Sequence, residues 1–344
     1  MNPTAQIGQL KQKISSKQLP PEILEKLQNE LMRLELLLKA NSFSLELDRH
    51  ISYIDFVLSL PWNEKSADIL DLPRAKAILN KNHFGLESVK ERILEYLSVL
   101  ILNQRKGQSF ASSTLTFVGL VGSGKTTLAY SIAESLGRPI ERVPFGGLGS
   151  AMQLRGESRI KPEAEAGLII KALQKCKVKN PVILLDEIDR VALEARTDVM
   201  GVLVELLDPS QNHSFLDYYV DLRFDLSQVL FIATANNLNN ISTAVLDRLE
   251  IIEMPFYSDQ QKITIAKDYL LPKALNEAGI NSNMIVIDPN LWVEIVRPLG
   301  FDGGTRSLKR TIEQIVRKVA KQIVEGGSGP FQINSTNMNL YINK

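Results

Sequence analysis

Residues 115–118 read LTFV and residues 119–126 read GLVGSGKT. A mainly apolar stretch is followed by a glycine, four residues, and then Gly124-Lys125-Thr126. That is the order of a buried strand, a tight loop and the first turn of a helix. In such a loop the backbone N–H groups converge, and the N-terminus of the following helix adds its dipole, so the loop cradles phosphate. Glycines are required because a Cβ would block the close approach of the backbone. Lys125 is then expected to reach the outer phosphates of a nucleotide, and the Thr126 hydroxyl to help hold Mg²⁺. Gly119, Gly122, Ser123, Gly124 and Thr127 complete the candidate binding loop. The loop alone does not say whether the phosphate serves a switch, a small-molecule kinase or a motor.

Three further stretches narrow the choice. VILLDE (182–187) has four apolar residues, the length of a buried central strand, with Asp186 at its carboxyl end. Ligands bind at the carboxyl ends of strands in open α/β sheets. Asp186 would contact Mg²⁺ through its water shell, and Glu187 would polarise an attacking water. An apolar run followed by Asp-Glu is common, but about sixty residues after a phosphate loop it points to hydrolysis. FIATAN (231–236) is a second buried strand, whose terminal Asn236 would face the γ-phosphate. LDRLE (246–250) and GGTRSL (303–308) supply Arg248 and Arg306. Arginine can pair bidentately with phosphate and neutralise transition-state charge; the residues alone leave open whether each acts in its own site or a neighbour's.

Around the loop, strands are expected at 115–118, 140–144, 182–185 and 229–233, alternating with helices at 125–136, around 164–176, and 198–207. That alternation predicts an α/β core with a parallel sheet covered by helices on both faces. The first hundred residues read as an α-helical preface. Leu24, Leu27, Leu31, Leu34 and Leu38 recur every three or four residues, a seam too short for a free coiled coil and suited to packing on a neighbouring helix. Helices are also expected over 43–60, 73–81 and 86–103, with QRKGQSFASS (104–113) as a linker. Amphipathic segments at 259–277 and 305–324 read as a small helical lid. The expected division is 1–103 helical segment, 104–255 nucleotide-binding domain, and 256–344 lid and tail.

Forty Lys and Arg against 39 Asp and Glu give a net charge of +1, so no nucleic-acid or membrane partner is demanded. One cysteine excludes an internal disulfide framework and a cysteine-based zinc site. The N-terminus lacks an apolar signal region, and no run approaches the roughly 18 residues of a membrane span. A cytoplasmic location with no membrane partner is the expectation.

The four elements in this order resemble an AAA+ ATPase. LLDEIDR (184–190), ELLDPSQNHSF (205–215), FDLSQVLFIATANNL (224–238) and LLPKAL (270–275) resemble, more narrowly, the ATPase half of Lon-type proteases. The likeness extends back through LPWNEKSADILDL and NHFGLESVKERILEYL and forward through FDGGTRSLKRTIEQIVRK, covering roughly residues 8–340. The resemblance implies an AAA+ P-loop core preceded by helices and followed by a helical lid. It implies ATP and Mg²⁺ at Lys125, Thr126 and Asp186, water activation by Glu187, and a γ-phosphate sensor at Asn236. It makes Arg248 an arginine finger reaching the next subunit and Arg306 a second sensor on the lid. His83, Phe84 and Gly85 would flank the adenine. Members assemble as hexameric rings that unfold and thread protein substrates.

Two departures stand beside the resemblance. The family's Ser-Lys peptidase domain would begin where this sequence stops, at NMNLYINK. The chain is therefore read as a motor half, whether an excised piece, a natural short form or one part of a split enzyme. Second, in RGESRIKPEAEAGLII (155–170) the positions of the family's aromatic-aliphatic gripping pair carry Lys161 and Pro162. Lysine has a long apolar stem and a solvated head; proline stiffens the loop. The grip is then weak, altered, or supplied by 211–219, where Phe215, Tyr218 and Tyr219 cluster. The phosphate loop also has Leu120-Val121 where the family commonly has Pro-Pro. The leading reading is an ATP-driven unfoldase module acting on unfolded or damaged proteins. The alternatives are an ATP-binding scaffold or regulator that does not thread, and a DNA-dependent loader. Local basic patches leave weak, salt-dependent DNA binding open.

Overall fold

The computed structural model describes residues 3–39, 45–107, 113–297 and 304–342. The preface has α1 (Pro3–Ser16), α2 (Pro21–Lys39), α3 (Leu45–Ser59), α4 (Leu72–Asn82) and α5 (Glu87–Arg105). The core follows with β1 (Thr114–Val118), α6 (Lys125–Leu136), β2 (Ile140–Pro144), α7 (Met152–Arg155), α8 (Leu168–Cys176), β3 (Val182–Asp186) and α9 (Arg196–Leu207). It continues with β4 (Phe215–Asp217), β5 (Leu222–Phe224), β6 (Leu230–Ala235), α10 (Thr243–Leu246) and β7 (Leu249–Glu253). The lid has α11 (Asp259–Ile265), α12 (Leu271–Glu277), β8 (Ile285–Ile287), α13 (Trp292–Val296), α14 (Arg306–Val324), β9 (Phe331–Ile333) and α15 (Met338–Tyr341). Parts of the expected helix at 43–60 and linker at 104–113 lie outside the described residues.

The main sheet has five parallel strands in the order β2-β3-β6-β1-β7. Its central strands are buried on both faces, which is why they read as apolar runs rather than as an alternation. Their side chains nevertheless divide by parity. Ile183, Leu185, Phe231 and Ala233 face a core shared with α8, α9 and the first three helices. Val182, Leu184, Leu230 and Ile232 face a core shared with α4, α5 and α6. The preface is therefore split across the sheet, with α4 and α5 packed directly on the nucleotide-binding layer. The lid has its own core, in which Leu308, Ile312, Ile315 and Val319 of α14 are buried.

The order of strands decides where the chemistry lies. Asp186 ends β3 and Asn236 follows β6, while the loop of Gly119–Thr126 follows β1. Because β3, β6 and β1 are adjacent, all three carboxyl ends meet at one edge.

Helix α1 lies within the expected helical preface, and β7, where no strand is expected, completes the sheet beside β1. An antiparallel hairpin joins β4 to β5. The tail, whose fold the sequence leaves unclear, is tied to the lid by parallel pairing of β9 with β8. Of the cluster expected at 211–219, Phe215 is fully buried and Tyr218 is exposed, while Tyr219 is partly buried and packs edge-on against Tyr53 and Phe56.

Candidate active site

A cavity of about 800 Å³ opens at the carboxyl edge of the sheet, a size suited to a nucleotide. The phosphate loop forms its floor. Gly122 and Gly124 have φ of 84° and 98°, a left-handed backbone that glycine adopts without strain. Lys125, Thr126, Asp186, Glu187, Asn236, Arg306, His83 and Phe84 all line this one space. Gly85 lies in the turn behind it, with φ of 62°.

Lys125 Nζ donates to the carbonyls of Gly119 at 2.6 Å and Leu120 at 3.0 Å, and to Asn236 Oδ1 at 3.1 Å. Burial pulls its pKa below the ordinary lysine value, opposed by Asp189, Glu187 and Asp186. Asp186 Oδ1 accepts from Thr126 Oγ1 at 3.3 Å and from Thr234 Oγ1 at 2.6 Å. Its Oδ2 accepts from Arg142 Nε at 2.6 Å. A buried carboxylate with three donors is compensated.

Glu187 adopts φ of 58°, a conformation that costs a non-glycine residue roughly 1–2 kcal/mol. Its amide donates to Thr234 Oγ1 at 2.9 Å, and its carboxylate lines the cavity, 3.6 Å from Arg190 Nη1. Asn236 is held from behind: its N–H donates to Asp189 Oδ1 at 3.0 Å. Its Nδ2 is buried and without a partner. An unpaired buried N–H carries a cost, which an anionic oxygen beside Lys125 would remove. That orphan donor and the surrounding cationic and hydroxyl groups fit a nucleotide phosphate.

The lid closes the cavity from the other side. Thr305 N and Oγ1 both donate to the Gly122 carbonyl, at 3.0 and 2.9 Å. This seats Arg306, the first residue of α14, against the phosphate loop. His83 Nε2 pairs with Ser131 Oγ at 2.9 Å. Burial, and secondarily Lys90, push its pKa down to about 4, so the ring is neutral at pH 7. Phe84 stands 6.1 Å from the Tyr269 ring, giving this end an aromatic wall.

One candidate stands apart. Arg248 precedes β7, whereas the phosphate loop follows β1, the strand aligned with it. Five strand residues separate the two ends, about 17 Å at the rise of a strand. Arg248 instead donates to Asp208 Oδ2 and to the Ala244 carbonyl, each at 2.7 Å. Its partner Asp208 is held below the ordinary carboxylate range by bonds from Ser210 and Arg248. Within one chain Arg248 is remote from the cavity. Lys161 and Pro162 are both exposed in the loop after α7, with Lys161 Nζ 3.3 Å from Glu157.

Sequence reasoning missed Arg142, Thr234 and Asp189. Arg142 and Thr234 are polar residues within strands, which is the available signal, and Asp189 lies in the short turn after β3; the target of each is set by strand order. Among the described residues no three or more His, Cys, Asp or Glu side chains form a metal cluster, and no helix is long and apolar enough to cross a membrane.

Residues 115–256 match the family model of the ATPase family associated with various cellular activities. Residues 276–331 match that of the Lon protease AAA+ ATPase lid domain. The chain is 41% identical over 324 residues to the Lon protease of Lawsonia intracellularis, covering 94% of this chain and 38% of that protein. It is 43% identical over 321 residues to that of Dictyoglomus thermophilum, covering 93% and 40%. For Clostridioides difficile the identity is 38% over 341 residues, covering 99% and 42%. The chain thus spans about two fifths of the length of these curated relatives. With an ATPase core and a lid of the Lon type in sequence, the chain belongs to the AAA+ ATPases as the ATPase portion of the Lon protease family.

Proposed function

We propose that the chain hydrolyses ATP with Mg²⁺ to unfold and move polypeptide, as the motor portion of an ATP-dependent protease. The observation that carries this reading is the convergence of Lys125, Asp186, Glu187 and Asn236 on one cavity under the lid. In this mechanism the loop amides and Lys125 bind the phosphates. Thr126 and Asp186 would hold Mg²⁺, which would supply positive charge to neutralise that on the phosphates. Glu187 accepts a proton from the attacking water as its oxygen bonds to the γ-phosphorus and the bond to the ADP oxygen breaks. The Asn236 amide orients that water and the γ-phosphate. Arg306 senses the phosphates from the lid, and Phe84 with His83 bounds the base. Arg248 completes the site of a neighbouring copy in a ring, for which a hexamer is the proposed form.

The proposed partners are other copies of the chain, unfolded or damaged proteins, and a peptidase domain. The proposed location is the cytosol. Any DNA contact would be weak, local and salt-dependent. A second reading, an ATP-binding scaffold, is favoured by Lys161-Pro162 at the tip of the loop where a gripping pair is expected. ATP hydrolysis with and without unfolded casein separates the two. Acceleration by casein supports threading; a parent rate unchanged by casein supports the scaffold.

A further inference from the structure

The seam of α2 is apolar at Ile23, Leu27, Leu31 and Leu34, yet Glu30 lies buried among them, 3% exposed. A buried carboxylate is costly unless paired. Its partners come from three places: Arg33, one turn on in α2, lies 3.5 Å from Glu30 Oε1, and the other two lie outside the helix. His50 Nδ1 on α3 sits 2.6 Å from Glu30 Oε2. Arg159, in the loop between α7 and α8, donates from Nη2 to Glu30 Oε1 at 2.8 Å. The Arg159 guanidinium also lies over the Tyr53 ring of α3, 3.7 Å from its centre. These contacts hold Glu30 below the ordinary carboxylate range against the effect of burial.

The same two helices grip the segment behind the loop. Tyr53 Oη donates to the Val220 carbonyl at 2.8 Å, and Lys26 Nζ pairs with Asp221 Oδ2 at 2.7 Å. Between these anchors, fully buried Asp217 ties the base of the loop. It accepts the amides of Gly167 at 2.8 Å and of Tyr219 and Val220 at 2.9 Å. A further bond closes the base, from Glu157 N to Glu165 O at 3.0 Å. Next to Arg159, Ile160 is 92% exposed. The loop is thus clamped at one residue and projects an apolar side chain at the next.

We propose that Arg159 is a positioning residue through which α2 and α3 set the 157–166 loop and aim Ile160 and Lys161 at an extended polypeptide. This rests on the threading reading above and adds how the loop is held. The preface then acts as a brace for the moving part. Arginine is required because its planar face covers the Tyr53 ring while its fork reaches Glu30.

The test uses Arg159→Gln, with Glu30→Gln as a second variant that removes the charge from the helix seam and keeps an acceptor oxygen there. Hydrogen exchange of amides 157–166 is measured alongside the casein concentration that half-maximally stimulates ATP hydrolysis. In Arg159→Gln the loop exchanges faster and the half-maximal casein concentration rises about tenfold, while KM for ATP stays the same. Glu30→Gln gives the same effects, smaller. Unchanged exchange in both variants overturns the brace. Faster exchange with unchanged casein dependence overturns the positioning role. A parent protein that casein does not accelerate overturns the threading reading and this use of the loop together, while exchange still decides whether the clamp exists.

Discussion

Thr234 Oγ1 donates to Asp186 Oδ1 at 2.6 Å and accepts the Glu187 amide at 2.9 Å. One hydroxyl therefore fixes both members of the acidic pair, and it can do so because β6 lies beside β3. Thr234→Val keeps the shape and removes both bonds. We expect kcat for ATP to fall roughly tenfold with KM within a few-fold, and a stability loss of about 1–3 kcal/mol from the orphaned amide. Steady-state hydrolysis and urea unfolding measure these. A valine variant with the parent's kcat would mean the acidic pair needs no support from β6.

Arg142 occupies one oxygen of Asp186 at 2.6 Å. A divalent cation held, as proposed, at Thr126 and Asp186 would compete with that guanidinium for the carboxylate. Arg142→Gln should lower the Mg²⁺ concentration for half-maximal binding of a fluorescent ATP analogue, by several-fold. An increase instead would assign Arg142 to the phosphates themselves.

The sequence made the phosphate loop, β3 and β6 legible because each joins an apolar run to a chemically unusual terminus. It did not reveal Arg142, which sits at an ordinary alternating position of β2 between Glu141 and Val143. Nor did it reveal Thr234, which is one hydroxyl inside FIATAN. Their roles depend on β2 lying beside β3 and β3 beside β6, and spacing along a chain does not encode neighbour order. The buried position of Glu30 was hidden for a similar reason: its partner Arg159 is 129 residues away.

Gly304 packs so closely on the phosphate loop that a Cβ would overlap the Val121 carbonyl oxygen. Gly304→Ala should push Thr305 off the Gly122 carbonyl and lift Arg306 from the loop. We expect weaker nucleotide binding, by about tenfold for the loss of two hydrogen bonds, with the sheet intact by circular dichroism. Parent-like affinity would mean that the lid contact does not tune the site.

His83 is neutral in the fold, with its pKa at about 4 against 6.5 for the free side chain. The unfolded chain binds the extra proton between these values, so the contribution is complete above pH 6.5 and lost as pH falls toward 4. The loss is at most about 3 kcal/mol. Urea midpoints from pH 7.5 to 4.5 should fall in the parent and fall less in His83→Gln. Equal slopes would place the acid sensitivity elsewhere.

Arg248 stands at the far end of β7 from its own phosphate loop, which is the observation behind the proposal that another copy completes the site. The direct measurement is ATP hydrolysis per subunit against protein concentration, repeated with Arg248→Ala subunits mixed into the parent. We expect the specific rate to rise with concentration, and the mixed protein to fall below the rate set by its share of parent. A specific rate independent of concentration, with mixtures that add linearly, would contradict the account.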